Sequence, residues 1–270
     1  MNNVNKTLYI PLYGKAYVSR KGIILNDKKA EEIWDAEGFS LKGKSKSKWL
    51  AYYMGMRSSV FDEWLLKQMK KNSEAVVLHI GCGMDSRVLR VGTNAHPWYD
   101  IDFPNVISER KKYYVEDDTY HMIEADVREE NWMSKIPKAK HAIIVMEGVS
   151  MYFEPQELKV VLEQISTHFE RVNLLLDAYT TMAAKASKYK NPINDVGVTV
   201  VYGMDDPKIL ENGKVTFYKE HEMTPEELVN ELEGFERAIF KKLYSGGIAR
   251  KMYRMYEYRQ GESLIYADAE

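Results

Sequence analysis

Cysteine is almost absent: Cys82 is the single one in 270 residues, so no intramolecular disulfide can form and no Cys-rich zinc site can be built. No metal ligand set is expected, and a reducing, cytoplasmic setting fits. A surplus of charge is also missing, because 38 Lys and Arg face 40 Asp and Glu for a formal net charge of -2. With the signs interspersed, no nucleic-acid partner held by bulk charge is expected. No apolar run approaches the roughly 20 residues of a membrane span, and the opening MNNVNKTLYIPLYGKAYVSRKG lacks the basic region and apolar stretch of a signal peptide. No membrane partner is expected either. Internal repeats and low-complexity tracts are lacking too. What is present, 45% hydrophobic and 29% charged residues, is the composition of a globular chain long enough for one large α/β domain with a real core.

Residues 1–72 set Tyr, Trp and Met among charged residues, and from Trp49 to Lys70 the apolar positions recur at helical spacing, so a helical N-terminal segment is expected. From Ala75 the character changes. Short runs rich in Val, Ile and Leu now alternate with helix-length polar stretches: AVVLHI (75–80), PWYDI (97–101), YHMIEA (120–125), HAIIVM (141–146) and VNLLLD (172–177). Such alternation is the mark of βαβ units and a mostly parallel sheet. FERAIFKKL (235–243) and ESLIYADA (262–269) are expected to add the closing strands, the last antiparallel. Between them and the fifth strand, a Tyr- and Gly-containing insertion (179–218) is placed to fold over a site.

The chemistry is expected at the strand ends. The first strand runs into GCGMDSR, where Gly81 and Gly83 would let the backbone turn tightly and approach a ligand, with a helix N-terminus behind them. Asp85 stands close to where a dinucleotide-binding loop keeps its third glycine. An acid there would repel a pyrophosphate but suits a ligand bearing an ammonium and a sulfonium, such as S-adenosylmethionine. Asp100 and Asp102 follow about twenty residues on, where an acid conventionally accepts from ribose hydroxyls; Asp102, beside Pro104, is the better placed. Asp126, at the third strand's tip, is a partner for an adenine amino group with Val127 packed on the ring, or alternatively a helix N-cap. Glu147 falls where the crevice opens after the fourth strand.

GCGMDSR, YDIDFP, EADVRE and MEGVSMYF, in this order and spacing, resemble the leucine carboxyl methyltransferase family, and more closely its bacterial tetracenomycin-type O-methyltransferase branch. The likeness extends to TLYIPLYGKAYVSR, YMGMRSSVFDEWL and YGMDDP. It implies an α/β Rossmann-like class I methyltransferase sheet of seven strands, mostly parallel with the last antiparallel. The single domain, 1–270, would divide into a helical cap (1–72), a cofactor-binding core (73–178), a cap insertion (179–234) and terminal strands (235–270). It further implies S-adenosylmethionine as cofactor and S-adenosylhomocysteine as product. Gly81 and Gly83 would line its methionine portion, Asp102 hold the ribose, Asp126 and Val127 the adenine, and Glu147 the amino group. Arg57 matches the arginine that grips the cofactor carboxylate, and Lys15 a basic position in the segment closing over the site. Lys15 in place of the commoner arginine, His79 within the first strand and Cys82 between the glycines depart from the pattern.

Methyl transfer from a sulfonium is an in-line displacement, so holding the acceptor oxygen behind the methyl carbon is the main task. A carboxylate is ionised at neutral pH and needs no general base, whereas a phenol or alcohol usually does. No convincing base is evident: among the histidines, His221 in the polar stretch FYKEHEMTPEE is the best candidate, and Tyr152 is expected to face the crevice near the acceptor. A small-molecule acceptor bearing a carboxylate, or a hydroxyl, is therefore expected. The alternatives are a protein C-terminal carboxyl methyltransferase and a non-catalytic cofactor-binding protein of the same fold. A nicotinamide dehydrogenase is disfavoured by Asp85, and an amine methyltransferase by MEGVSMYF where an Asn/Asp-Pro-Pro-aromatic stretch would stand.

Overall fold

The computed structural model describes residues 8–38, 41, 43–187 and 200–261. Seven strands form one sheet: β1 (Val76–Ile80), β2 (Trp98–Asp102), β3 (Tyr120–Glu124), β4 (His141–Met146), β5 (Arg171–Tyr179), β6 (Thr216–His221) and β7 (Tyr253–Gln260), in the order β3-β2-β1-β4-β5-β7-β6. The first five are mutually parallel, and β7 pairs antiparallel with both β5 and β6. This is the class I methyltransferase architecture. The strand order reverses between β1 and β4, which opens a crevice at their carboxyl ends.

Continuous apolar runs make strands here because both faces are covered, and β4 is buried at every position. On one face lie the N-terminal helices α1 (Tyr9–Lys21), α2 (Lys28–Glu37) and α3 (Lys48–Lys71). Met56, Phe61, Trp64, Leu65 and Met69 of α3 are buried there. Helices α1 and α3 approach closely, because a Cβ on Gly14 would stand 2.8 Å from Met54 Cβ and one on Gly55 2.8 Å from Val18 Cγ2. Short helices α4 (Arg87–Val91) and α5 (Pro104–Arg110) follow β1 and β2. The other face is packed by α6 (Pro155–His168), which starts with Pro at its first position and a Glu154–Glu157 capping box. It buries Leu158, Val161, Leu162 and Ile165 at i, i+3, i+4 and i+7.

The C-terminal third departs from expectation. Residues 235–243 were expected as a strand but belong to helix α9 (Gly234–Leu243). Phe235, Ile239, Phe240 and Leu243 recur at helical spacing, and Glu236 in the first turn with Lys241 and Lys242 in the last suits the helix dipole. The closing strands are β6 and β7 instead. YRMYEYRQ hides its strand character behind Arg and Glu, whose stems are covered between β5 and β6. The stretch 179–234, expected as cap, holds α7 (Thr181–Ala186) and α8 (Glu226–Asn230) but also the edge strand β6. Residues 262–269, expected as a strand, lie outside the described residues. Helix α10 (Gly246–Arg250) leads into β7. Among the described residues no helix is long and apolar enough to cross a membrane, and no group of His, Cys, Asp and Glu could hold a metal ion.

Candidate functional site

A cavity of about 1090 Å³ opens above the carboxyl ends of β1, β2 and β4, walled by α1, α3, α7, α9 and α10. At or above the upper end of ordinary ligand pockets, it has room for two bound molecules side by side. Its two halves differ in character. The floor is polar and the upper chamber is apolar, lined by residues such as Trp49, Leu50, Tyr53, Tyr179, Tyr244 and Met252.

The floor begins where β1 ends. Gly81 has φ +68°, and a Cβ there would lie 2.2 Å from Val149 Cγ2, so no other residue fits without displacing the β4 loop. The turn is tied to β2 by a bond from Gly81 N–H to the Ile101 carbonyl, 2.8 Å. Asp102 then fixes the loop from below, accepting from Gly83 N–H at Oδ2 and Phe103 N–H at Oδ1, each 2.8 Å. Burial pushes its carboxyl up to about 6, against the pull of those two donors. Arg110 donates to the Gly83 carbonyl at 3.0 Å and is ion-paired with Asp100.

Behind the loop lies a buried network of charge. Glu147, after β4, receives Arg57 Nη2 at 2.9 Å, Ser58 Oγ at 3.2 Å and Arg87 Nη2, with Lys15 Nζ at 3.8 Å. Burial would raise its carboxyl, but Lys15, Arg57 and Arg87 hold it well below the ordinary range. Asp85 receives Lys15 at 2.9 Å, Arg90 at 2.7 Å and Arg87 at 3.4 Å. Arg87 and Arg90 both reach Asp62, each at 2.6 Å, and Arg90 also reaches Asp27, the N-cap of α2, at 2.6 Å. Arg57 Nη1 stands 3.2 Å from Asp177, whose carboxyl burial pushes up to about 6. Four bases, Lys15, Arg57, Arg87 and Arg90, thus meet five acids, Asp27, Asp62, Asp85, Glu147 and Asp177, and no side chain of the nine is more than 11% exposed. Asp102 adds a further acid, so the floor carries a surplus of negative charge.

The structure brings Lys15, Arg57, Gly81, Gly83, Asp85, Asp102, Asp126, Val127, Glu147 and Tyr152 together around this one cavity. Some stand differently from expectation. Asp85 faces Lys15 and Arg90, so it works as a keystone of the network more than as an open anion. Asp126 caps no helix: it opens a short turn, its carboxylate accepting from Arg128 N–H at 3.0 Å and pairing with the Arg128 guanidinium at 2.6 Å. His221, expected as the candidate base, is not among the residues lining the cavity. It sits on β6, the outer strand of the sheet, where Nε2 is 2.6 Å from Glu257. The one histidine among the described lining residues is His79, fully buried, with Arg87 Nη1 3.2 Å from Nε2 and Asp100 3.2 Å from Nδ1. Burial lowers its pKa and keeps the ring neutral.

Arg87, Arg90, Asp27, Asp62 and Asp177 were not expected as site residues. Arg87 ends the GCGMDSR motif and Asp62 lies one turn beyond Arg57 in the helical stretch, so a signal existed for both. Asp177, at the end of an apolar strand, reads like any strand terminus until β4 and α3 are folded against it.

Residues 7–166 match the family model described as leucine carboxyl methyltransferase. Tetracenomycin polyketide synthesis O-methyltransferase TcmP of Streptomyces glaucescens is 29% identical over 217 residues, spanning 78% of this chain and 79% of that protein. The S-adenosyl-L-methionine-dependent methyltransferase dpfgK of Gibberella zeae is 24% identical over 234 residues, spanning 78% of each. Among solved structures, a duf574 family protein from Streptomyces avermitilis superposes with a TM-score of 0.58 at 10% identity, covering 92% of this chain and 96% of that one. Magnesium protoporphyrin IX methyltransferase from Synechocystis gives 0.52 at 14% identity, covering 87% and 95%. At such identities the structural likeness speaks to fold alone.

Proposed function

The chain belongs to the leucine carboxyl methyltransferase family, and from that premise we propose that it is an S-adenosylmethionine-dependent O-methyltransferase acting on a carboxylate of a small organic molecule. The observation that carries the reading is the floor itself: glycine-bounded, set at the bottom of the cavity, and holding more acids than bases. Such a surplus favours a ligand with net positive charge. The cofactor supplies an electrophilic methyl carbon on a sulfonium.

The residues present fit this group. Arg57 Nε is buried with no hydrogen-bond partner among the described residues, which leaves a donor for a carboxylate beside Glu147, the acceptor for an amino group. Asp102 uses one lone pair of each oxygen on the loop and keeps others for ribose hydroxyls. Val127, buried at the cavity wall, offers an apolar face to a purine, and the Asp126–Arg128 pair sits beside it. Lys15 anchors α1 across the floor and excludes water from it. Tyr152, in the turn after β4, lines the cavity and would contact the acceptor.

The choice of a carboxylate rests on what the chamber does not offer. Its described lining holds no histidine able to take a proton, since His79 is engaged below the floor. An acceptor already ionised at neutral pH needs only orientation. Calorimetric titration with S-adenosylhomocysteine tests the cofactor, with micromolar binding expected; binding of NADH but not of S-adenosylhomocysteine would overturn it. A methyl-release screen over carboxylic acids and phenols tests the acceptor, and transfer confined to phenols would refute the carboxylate.

A further inference from the structure

An arginine side chain has many rotamers, so one that must meet a ligand with a single N–H needs its other edges held. Arg57, on α3, lines the cavity and is 3% exposed. Its Nη2 edge is taken by Glu147 at 2.9 Å. The Gly148 backbone lies against the guanidinium, since a Cβ there would stand 3.4 Å from both terminal nitrogens. The Nη1 edge meets two groups from β5 and β7: the Tyr253 hydroxyl accepts from it at 3.2 Å, and Asp177 Oδ2 is ion-paired with it at 3.2 Å. Nε is left without a partner among the described residues.

The sheet register brings those two groups together. β5 and β7 run antiparallel, with Tyr179 opposite Tyr253 and Asp177 opposite Met255. Side chains two apart on a strand share a face, so Asp177, Tyr179 and Tyr253 point the same way, and a diagonal neighbour is within reach of an aromatic side chain. It is the face covered by α3, because Tyr253, Met255 and Leu175 share a core with Phe61 and Trp64. Tyr253 is held there, 4% exposed, its ring edge-on to Tyr179 at 4.8 Å and tilted against Tyr53 at 6.4 Å. Asp177 is held as well, since its Oδ1 accepts from Gly148 N–H at 2.7 Å. Both residues lie outside 7–166, the stretch that matches the family model.

We infer that Tyr253 and Asp177 are positioning residues for the cofactor: they hold the Nη1 edge of Arg57 and so keep the guanidinium in the pose that leaves Nε free for the cofactor carboxylate. They act through Arg57 and not on the reacting atoms. The inference rests on the S-adenosylmethionine reading. A hydrogen bond weakens steeply as its angle is lost, and a guanidinium released at Nη1 would turn further toward Glu147, whose charge competes with the ligand carboxylate for it. The effect is therefore confined to ligands that carry that carboxylate.

The test compares two ligands on the whole protein by calorimetry: S-adenosylhomocysteine, and methylthioadenosine, which keeps the adenosine thioether but lacks the amino-acid portion. Tyr253→Phe removes the hydroxyl and keeps the ring. It is expected to weaken S-adenosylhomocysteine binding about tenfold, the scale of one hydrogen bond to a charged group, while methylthioadenosine binding is unmoved. Asp177→Asn retains an acceptor for Gly148 N–H and should show the same selective loss, so a folding defect in one variant leaves the other to decide. Equal losses for the two ligands would reduce the pair to a structural prop and overturn the inference. Full S-adenosylhomocysteine affinity in a variant that melts like the parent would overturn it too. Failure of the wild-type protein to bind S-adenosylhomocysteine would instead refute the cofactor reading beneath it.

Discussion

In the network of nine charged side chains behind the floor each is buried and has a partner of opposite sign within 3.2 Å, whereas along the rim stretch 234–254 the basic side chains stand in solvent and Arg237, Lys242 and Lys251 lack an ion-pair partner among the described residues. The floor can do electrostatic work because water is excluded: in a low dielectric a misplaced charge is costly, so its geometry is over-determined. The rim's charges are screened and cheap to change. The buried network therefore fixes the geometry of the floor, while the exposed bases leave the geometry of the rim free.

The contrast can be broken most strongly at Glu147. Glu147→Ala leaves Arg57 and Arg87 without their shared carboxylate, and a loss of about 3–5 kcal/mol in urea unfolding is expected, along with S-adenosylhomocysteine binding. A variant as stable as the parent would mean that the network is slack. Arg57→Ala should lower S-adenosylhomocysteine affinity about 100-fold, read by calorimetry, since a buried charged donor is lost. An unchanged Kd would detach Arg57 from the cofactor.

Gly81→Ala is expected to cost about 1–3 kcal/mol, because a strained φ and a contact with Val149 must both be accommodated. A thermal scan with no shift in Tm would sink that account. A smaller effect concerns pH. Asp102 has its carboxyl raised by burial to about 6, and its ionised form is the better acceptor for ribose hydroxyls. Affinity for S-adenosylhomocysteine should then fall about fivefold as pH drops from 6 to 5. The ligand-free protein moves the other way: a raised carboxyl contributes stability that is complete below about pH 4 and lost as pH rises through 6. Asp177, also about 6, shares the window, so Asp102→Asn should flatten only part of the profile; a profile with no change would clear Asp102. The smallest effect is at His221, where replacement by Ala should leave cofactor affinity within experimental error; a large loss would return that residue to the site.

The sequence by itself determined the parallel part of the sheet. Five apolar runs with helix-length spacers can hide their faces only in a parallel α/β core, and that periodicity is local enough to be legible from VVLHI or HAIIVM alone. It also determined the loop residues at the strand ends, because Gly81, Asp102 and Glu147 follow directly from where those strands stop. Tertiary structure alone decided the rest. That YRMYEYRQ filled the place between β5 and β6 depended on which surfaces were already covered, whereas the helical spacing of FERAIFKKL was local and there to be read. Asp85 became a keystone and Asp177 and Arg90 joined the floor only when α1, α2 and α3 closed over the strand ends, since ion pairs between residues as far apart as Arg57 and Asp177, 120 positions, leave no trace in local pattern. His221 lost its candidacy for the same reason: polarity along the chain says that a side chain can do chemistry, but only the sheet order says which edge it is on.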